Sequence, residues 1–246
     1  MDNRKPWFEL WFDSPYYPIL YKHRNEEEAQ TFIDMLIERL KPRLGAAMLD
    51  LACGRGRHAA YLASKGFEVI GLDISPNSIE DAMHKYGIKN PEFYVHDMRN
   101  YFRINYFDYI FNFFTSIGYF DNLHDNEKVV KSISLGLKKG GRVLIDFMNT
   151  EKVSADLVER EQKEEEGILF DIRRSIEEGC FRKHIYFTAE GKKFSFTESV
   201  QALLPHHFHT WLNSNGLHIV DEFGDYQLNS FDPKRSPRYI VLAEKH

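Results

Sequence analysis

The chain has 246 residues, a formal net charge of −5 at pH 7 and a hydrophobic fraction of 43%. That length holds one α/β domain, or one domain with an elaboration. The acidic balance argues against a nucleic-acid partner, and the chain has no run of about eighteen apolar residues to cross a membrane. The opening Met1-Asp2-Asn3-Arg4-Lys5-Pro6 lacks the apolar stretch of a signal peptide. Two cysteines, Cys53 and Cys180, make no disulfide framework, so the expected location is cytoplasmic.

Residues 1–24 are crowded with Trp7, Phe8, Trp11, Phe12, Tyr16, Tyr17 and Tyr21, and Pro15 and Pro18 exclude a long regular helix. Asn25 reads as the cap of a helix, with Glu28 three positions on and Ala29, Phe32, Ile33, Leu36, Ile37 and Leu40 on one face. Strands and helices then alternate. Strands are predicted over residues 47–51, 68–72, 92–95, 107–112 and 142–147, and helices over 57–64, 76–86 and about 122–137. Such alternation builds a mostly parallel sheet with helices on both faces. The charge run 159–166 reads as a solvated loop or helix face. After it, alternation at Ile168-Phe170-Ile172, Phe181-Ile185-Phe187 and Phe194-Phe196 predicts three antiparallel strands, turned at Glu178-Gly179 and Glu190-Gly191. A helix from Pro205 and strands over 217–223 and 238–243 complete the chain.

The segment Leu49-Asp50-Leu51-Ala52-Cys53-Gly54-Arg55-Gly56, followed by Val69-Ile70-Gly71-Leu72-Asp73, carries the functional signal. It reads as a buried strand, a glycine turn, a helix, a second buried strand and a terminal acid. Ligands of open α/β sheets sit beyond the carboxyl ends of the strands. There Gly54 and Gly56 would let a ligand approach the backbone, and Asp73 could accept from two ribose hydroxyls. The spacing Gly54-x-Gly56-x-x-Ala59 admits a dinucleotide. Asp50, however, sits before the glycines, where it would repel a pyrophosphate and attract an ammonium.

These two motifs resemble the binding motifs of class I S-adenosylmethionine-dependent methyltransferases over about residues 25–150, and again from residue 206 to the end. Ala52 departs from the glycine the family often has there. The resemblance implies a Rossmann-like seven-stranded sheet, mostly parallel with an antiparallel last strand beside the fifth, and a small antiparallel β insert. It divides the chain into an N-terminal lid (1–24), a cofactor-binding core (25–150), the insert (151–204) and a C-terminal helix with edge strands (205–246). The cofactor implied is S-adenosylmethionine. Asp50, Ala52, Gly54 and Gly56 would face its methionine part and Asp73 its ribose. Asp97 would receive the adenine amino group between Met98 and Ile74. Phe113 would border both cofactor and substrate, and Tyr21 and Arg24 would come from the lid toward the methionyl carboxylate.

The function expected is methyl transfer to a small-molecule acceptor at nitrogen or oxygen. The rival readings are a protein methyltransferase, a non-catalytic cofactor-binding module and a nicotinamide-dependent reductase. Because the cofactor supplies the leaving group, the protein mainly positions and desolvates, and no catalytic residue is singled out. His58, His96, His124 and Tyr119 are candidates for a general base. His206, His207 and His209 lack a metal-site pattern and read as a helix end. Cys53 reads as a packing residue. The insert could cover the pocket or join two copies of the chain in a homodimer.

Overall fold

The computed structural model describes residues 6–22, 26–87 and 89–246. Two short helices, α1 (Trp7–Phe12) and α2 (Tyr17–Leu20), open the chain, broken at the proline-rich stretch between them. The expected cap Asn25 lies outside the described residues, and α3 spans Glu26–Leu40. The alternating core follows as β1 (Ala47–Leu51), α4 (Arg57–Ser64), β2 (Glu68–Asp73), α5 (Pro76–Tyr86), β3 (Glu92–Val95), β4 (Phe107–Asn112), α6 (Leu123–Gly136) and β5 (Leu137–Met148). The chain ends with α7 (Thr150–Ala155), β6 (Arg160–Glu165), β7 (Ile168–Glu177), β8 (Cys180–Ala189), β9 (Lys192–Gln201), α8 (Pro205–Ser214), β10 (Leu217–Phe223) and β11 (Arg238–Lys245).

Seven strands form one sheet in the order β10-β11-β5-β4-β1-β2-β3. The first five in sequence run parallel, and β11 lies antiparallel between β5 and β10, as expected. Both faces of this sheet are apolar because both are covered. Leu49, Leu51, Ile70, Leu72, Val143 and Ile145 pack with α6 and α8 on one side, through Val129, Ile133, Phe208 and Leu212. Met48, Val69 and Leu144 pack on the other side against Phe32 and Leu36 of α3, Leu62 of α4 and Ile79 of α5. No described helix is long and apolar enough to cross a membrane.

The insert is a separate four-stranded antiparallel sheet, β6-β7-β8-β9, so the expectation of three strands is corrected. The charge run 159–166 is neither loop nor helix face but contains the edge strand β6. Its charges suit an edge: they discourage pairing with a further chain, and Glu161 accepts from Arg174 at 2.7 Å. Three Glu-Gly pairs turn the hairpins, with φ of +50° and +77° at Glu166-Gly167, +52° and +72° at Glu178-Gly179, and +50° and +73° at Glu190-Gly191. Two successive left-handed residues match the twist of two-residue hairpins. The apolar face of this sheet, with Phe170, Ile172, Ile185 and Phe187, packs on Trp11 and Leu20 of the N-terminal helices.

Candidate functional site

A cavity of about 760 Å³ opens at the carboxyl ends of β1, β2 and β4. Its floor holds Ala52, Cys53, Gly54, Asp73, Ile74, Asp97, Met98 and Phe113, and its roof holds Phe8, Phe12, Tyr17 and Tyr21 from the N-terminal helices. The structure thus gathers eight of the eleven residues expected at the site. Asp50 and Gly56 lie behind the wall, and Arg24 lies outside the described residues.

Asp73 ends β2 and braces two loops. Its Oδ2 accepts the Gly54 amide at 2.8 Å and its Oδ1 the Ser75 amide at 2.9 Å. Burial raises its carboxyl above the usual range, against the pull of those amides. The N-cap of α5 is Ser75, whose Oγ accepts from the Ser78 amide at 3.1 Å. Gly54 has φ +54° and open space where a Cβ would stand, which leaves room for a ligand at the backbone.

Gly56 serves a different purpose from the one expected. At φ +77° it precedes α4, and a Cβ there would come within 2.5 Å of the Phe93 ring. Its lack of a side chain admits the Phe93 ring, and Gly56 does not line the cavity. Asp50 is 1% exposed and its Oδ2 accepts the Ala59 amide at 3.1 Å, so it anchors the first turn of α4 from below. Burial pushes its carboxyl up to about 7. Ala52 takes φ +63°, a conformation glycine adopts without cost, which accounts for the residue the family often has there.

Asp97 is already engaged. The Arg99 guanidinium meets both of its oxygens, with Nε at 3.1 and 3.0 Å and a terminal nitrogen at 2.6 Å. Burial pushes its carboxyl up, but Arg99 prevails and holds it below the usual range. Of the candidate bases, His58, His96 and Tyr119 line the cavity and His124 does not. His58 is buried between the Phe113 and Phe114 rings, at 4.7 and 5.2 Å between centroids, and burial lowers its pKa well below the usual value. His96 is tied to the Asn100 carbonyl at 2.9 Å. His207 is held at the start of α8, its Nδ1 accepting the Leu204 amide at 2.9 Å.

The sequence reading missed the groups that hold the roof and the far wall. Tyr21 donates to Glu198 Oε1 at 2.6 Å and receives Lys183 Nζ at 2.5 Å, so the roof is bonded to the insert. Asp13 accepts from Ser75 Oγ at 2.7 Å and the Asn77 amide at 3.2 Å, bonding the roof to α5. Behind Phe113, Asp146 is fully buried on β5. The one available signal was an acid inside the apolar run Val143-Leu144-Ile145-Asp146-Phe147; such charges are buried only when paired.

Comparison with known proteins places this geometry. A dTDP-3-amino-3,4,6-trideoxy-alpha-D-glucopyranose N,N-dimethyltransferase of Streptomyces venezuelae is 26% identical over 182 residues, 70% of this chain and 73% of its own. Methyltransferase GfsG of Streptomyces halstedii is 30% identical over 155 residues, 62% of this chain; the match spans only about half of that relative, 50%. The crystal structure of an S-adenosylmethionine-dependent methyltransferase from Clostridium acetobutylicum ATCC 824 superposes with a TM-score of 0.79 at 21% identity, covering 94% of this chain and 96% of that one. It shares the fold. Residues 43–216 match the family model described as a methyltransferase domain, a span that contains the β1 turn, Asp73, Asp97 and the insert. The chain belongs to the methyltransferase-domain family.

Proposed function

We propose that the chain transfers a methyl group from S-adenosylmethionine to a small-molecule acceptor through a nitrogen or oxygen nucleophile. The observation that carries this reading is the convergence in one cavity of Asp73, the open backbone at Gly54 and an aromatic roof. The residues fit the cofactor: the space beside Gly54 would be filled by a Cβ, and Asp73, held by two amides, lines the same cavity.

When bound, the cofactor supplies an electrophilic sulfonium methyl for in-line displacement. The chain's part is to hold and enclose it. Asp73 accepts from the ribose hydroxyls. Ile74 and Met98 flank the adenine, and Asp97, steadied by Arg99, faces the adenine amino group. Ala52, Cys53 and Gly54 lie along the methionine part, with Phe113 across from them. Asp50 acts from behind, through the turn it anchors. Phe12, Tyr17, Tyr21 and Tyr119 exclude water, and their ring faces favour a cation. Enclosure and orientation of this kind contribute roughly 7–11 kcal/mol of a transfer barrier.

The similarity to the Streptomyces venezuelae N,N-dimethyltransferase supports an amine acceptor. The insert is assigned to supporting the roof, not to pairing two copies, because its apolar face is covered by α1 and α2 of the same chain. Its outer face carries the Arg160–Asp171–Arg173 ion pairs.

Calorimetry with S-adenosylmethionine, S-adenosylhomocysteine and NAD tests the cofactor, and transfer of labelled methyl to a panel of amino sugars, amines and alcohols tests the acceptor. Binding of the first two ligands and labelling of a small amine or alcohol is expected. Binding of NAD alone would overturn the assignment in favour of a reductase.

A further inference from the structure

β4 leaves the sheet through a turn over residues 113–116, and this turn is strained. Phe114 and Thr115 both take left-handed backbone angles, φ +58° and +57°, which side chains with a Cβ disfavour. Phe113, Phe114 and Ser116 all face the cavity, so the strained backbone shapes its wall. Strain of this kind persists only when surrounding structure over-determines it.

The restraint comes from outside the cavity. Asp146 Oδ2 accepts the Phe114 amide at 2.8 Å, and the Asp146 carbonyl accepts the Thr115 amide at 3.0 Å. Arg238, on the last strand, gives Nε to Asp146 Oδ1 at 2.8 Å and a terminal nitrogen to Thr115 Oγ1 at 2.9 Å. Tyr226 donates its hydroxyl to Asp146 Oδ2 at 3.1 Å and lays its ring against Phe114, 5.2 Å between centroids. Asp146 has no exposed side-chain surface and Arg238 has 19%. Neither lines the cavity. A pair built only to stabilise the sheet has no need to reach Thr115 Oγ1 and the strained Phe114 amide.

We propose that Asp146 and Arg238 are positioning residues for the cofactor site: their buried ion pair holds residues 113–116 in the left-handed conformation that sets the Phe113–Phe114 wall. The inference rests on the cofactor reading given above. The charge is needed at both ends. A carboxylate accepts two donors on one oxygen, and the guanidinium fork spans Asp146 and Thr115 together.

The test measures S-adenosylhomocysteine affinity by calorimetry, well below the melting temperature, beside circular dichroism of each variant. Wild-type binding is established first; its absence would overturn the cofactor reading and, with it, the positioning role. Arg238→Met, folded by circular dichroism, is expected to bind at least about tenfold more weakly, a loss of about 1.4 kcal/mol. Adding Thr115→Gly is expected to restore part of that affinity, because glycine takes the left-handed angle without a clamp. A purely structural pair would lower the melting temperature but leave affinity unchanged in the folded variant, and that result overturns the proposal. If Arg238→Met does not fold, Arg238→Lys and Tyr226→Phe carry the same test. Weaker binding in both supports the clamp, and wild-type affinity in both overturns it.

Discussion

The indole nitrogen of Trp11 donates to Glu198 Oε1 at 2.6 Å, although 187 residues separate the two in sequence. Trp11 has no exposed surface. The same carboxylate oxygen receives the Tyr21 hydroxyl. One acid on the insert therefore ties both N-terminal helices to the insert. Glu198→Ala strands a buried indole N–H and should cost about 1–3 kcal/mol. Thermal melting measures the loss, and limited proteolysis should show faster cutting within residues 6–22, since weakly held segments open locally. Glu198→Gln keeps an acceptor and should lose less.

Asp73 is expected to dominate cofactor affinity. Asp73→Ala should weaken S-adenosylmethionine binding by at least about tenfold, because a hydrogen bond to a charged group is worth about 1.5–3 kcal/mol. The variant also releases the Gly54 and Ser75 amides, so its melting temperature should fall. An unchanged dissociation constant by calorimetry would remove the ribose assignment.

Asp50 should make stability depend on pH. Burial raises its carboxyl from an ordinary 3.8 to about 7. Between those values the folded state holds a proton that the unfolded state has released. The Asp50 contribution is therefore present at low pH and is lost as pH rises through about 7. His58 works in the opposite sense. Its lowered pKa leaves the unfolded state with more protons below 6.5, so its contribution is lost as pH falls. The comparison that isolates Asp50 is Asp50→Asn against wild type. The variant should show a smaller fall in melting temperature between pH 5 and pH 8, a range that covers the upper part of the shift. Equal slopes would show that the carboxyl does not titrate there.

Two left-handed positions of the β1 turn, 52 and 56, should respond in opposite ways. Gly56→Ala places a Cβ 2.5 Å from the Phe93 ring at φ +77°. It should destabilise by about 2–4 kcal/mol, combining overpacking with left-handed strain. Ala52→Gly relaxes φ +63° and should raise the melting temperature slightly, by less than about 1 kcal/mol of stability, since the unfolded chain gains freedom as well. Chemical denaturation of both variants checks the ordering.

How far the sequence could be read depended on the range of the interactions. β1, α5, β3 and β4 end where local pattern places them, because a buried parallel strand is a short apolar run and Pro76 opens its helix in the first turn. The position of Asp73 and Gly54 at the cavity is legible for the same reason: strand end, turn and acid are consecutive features. The charge run at β6 was misread because its strand identity comes from pairing with β7, not from any alternation of its own residues. In sequence Gly56 reads as a place where a ligand can approach the backbone, while the ring that occupies the space of its Cβ belongs to Phe93, thirty-seven positions on.

By itself, then, the order of residues determined the alternating sheet, its helices and the pocket edge at Asp73, since each depends on periodicity and turn chemistry within a few neighbours. Only the tertiary structure decided which acids serve the cavity and which serve the frame. Asp50, Asp146 and Glu198 are equally charged in a line of text. They differ in the donors that folding brings to them: the Ala59 amide, Arg238 with the Phe114 amide, and Trp11 with Tyr21. A buried carboxylate is defined by its partners, and those partners are supplied by distant parts of the chain.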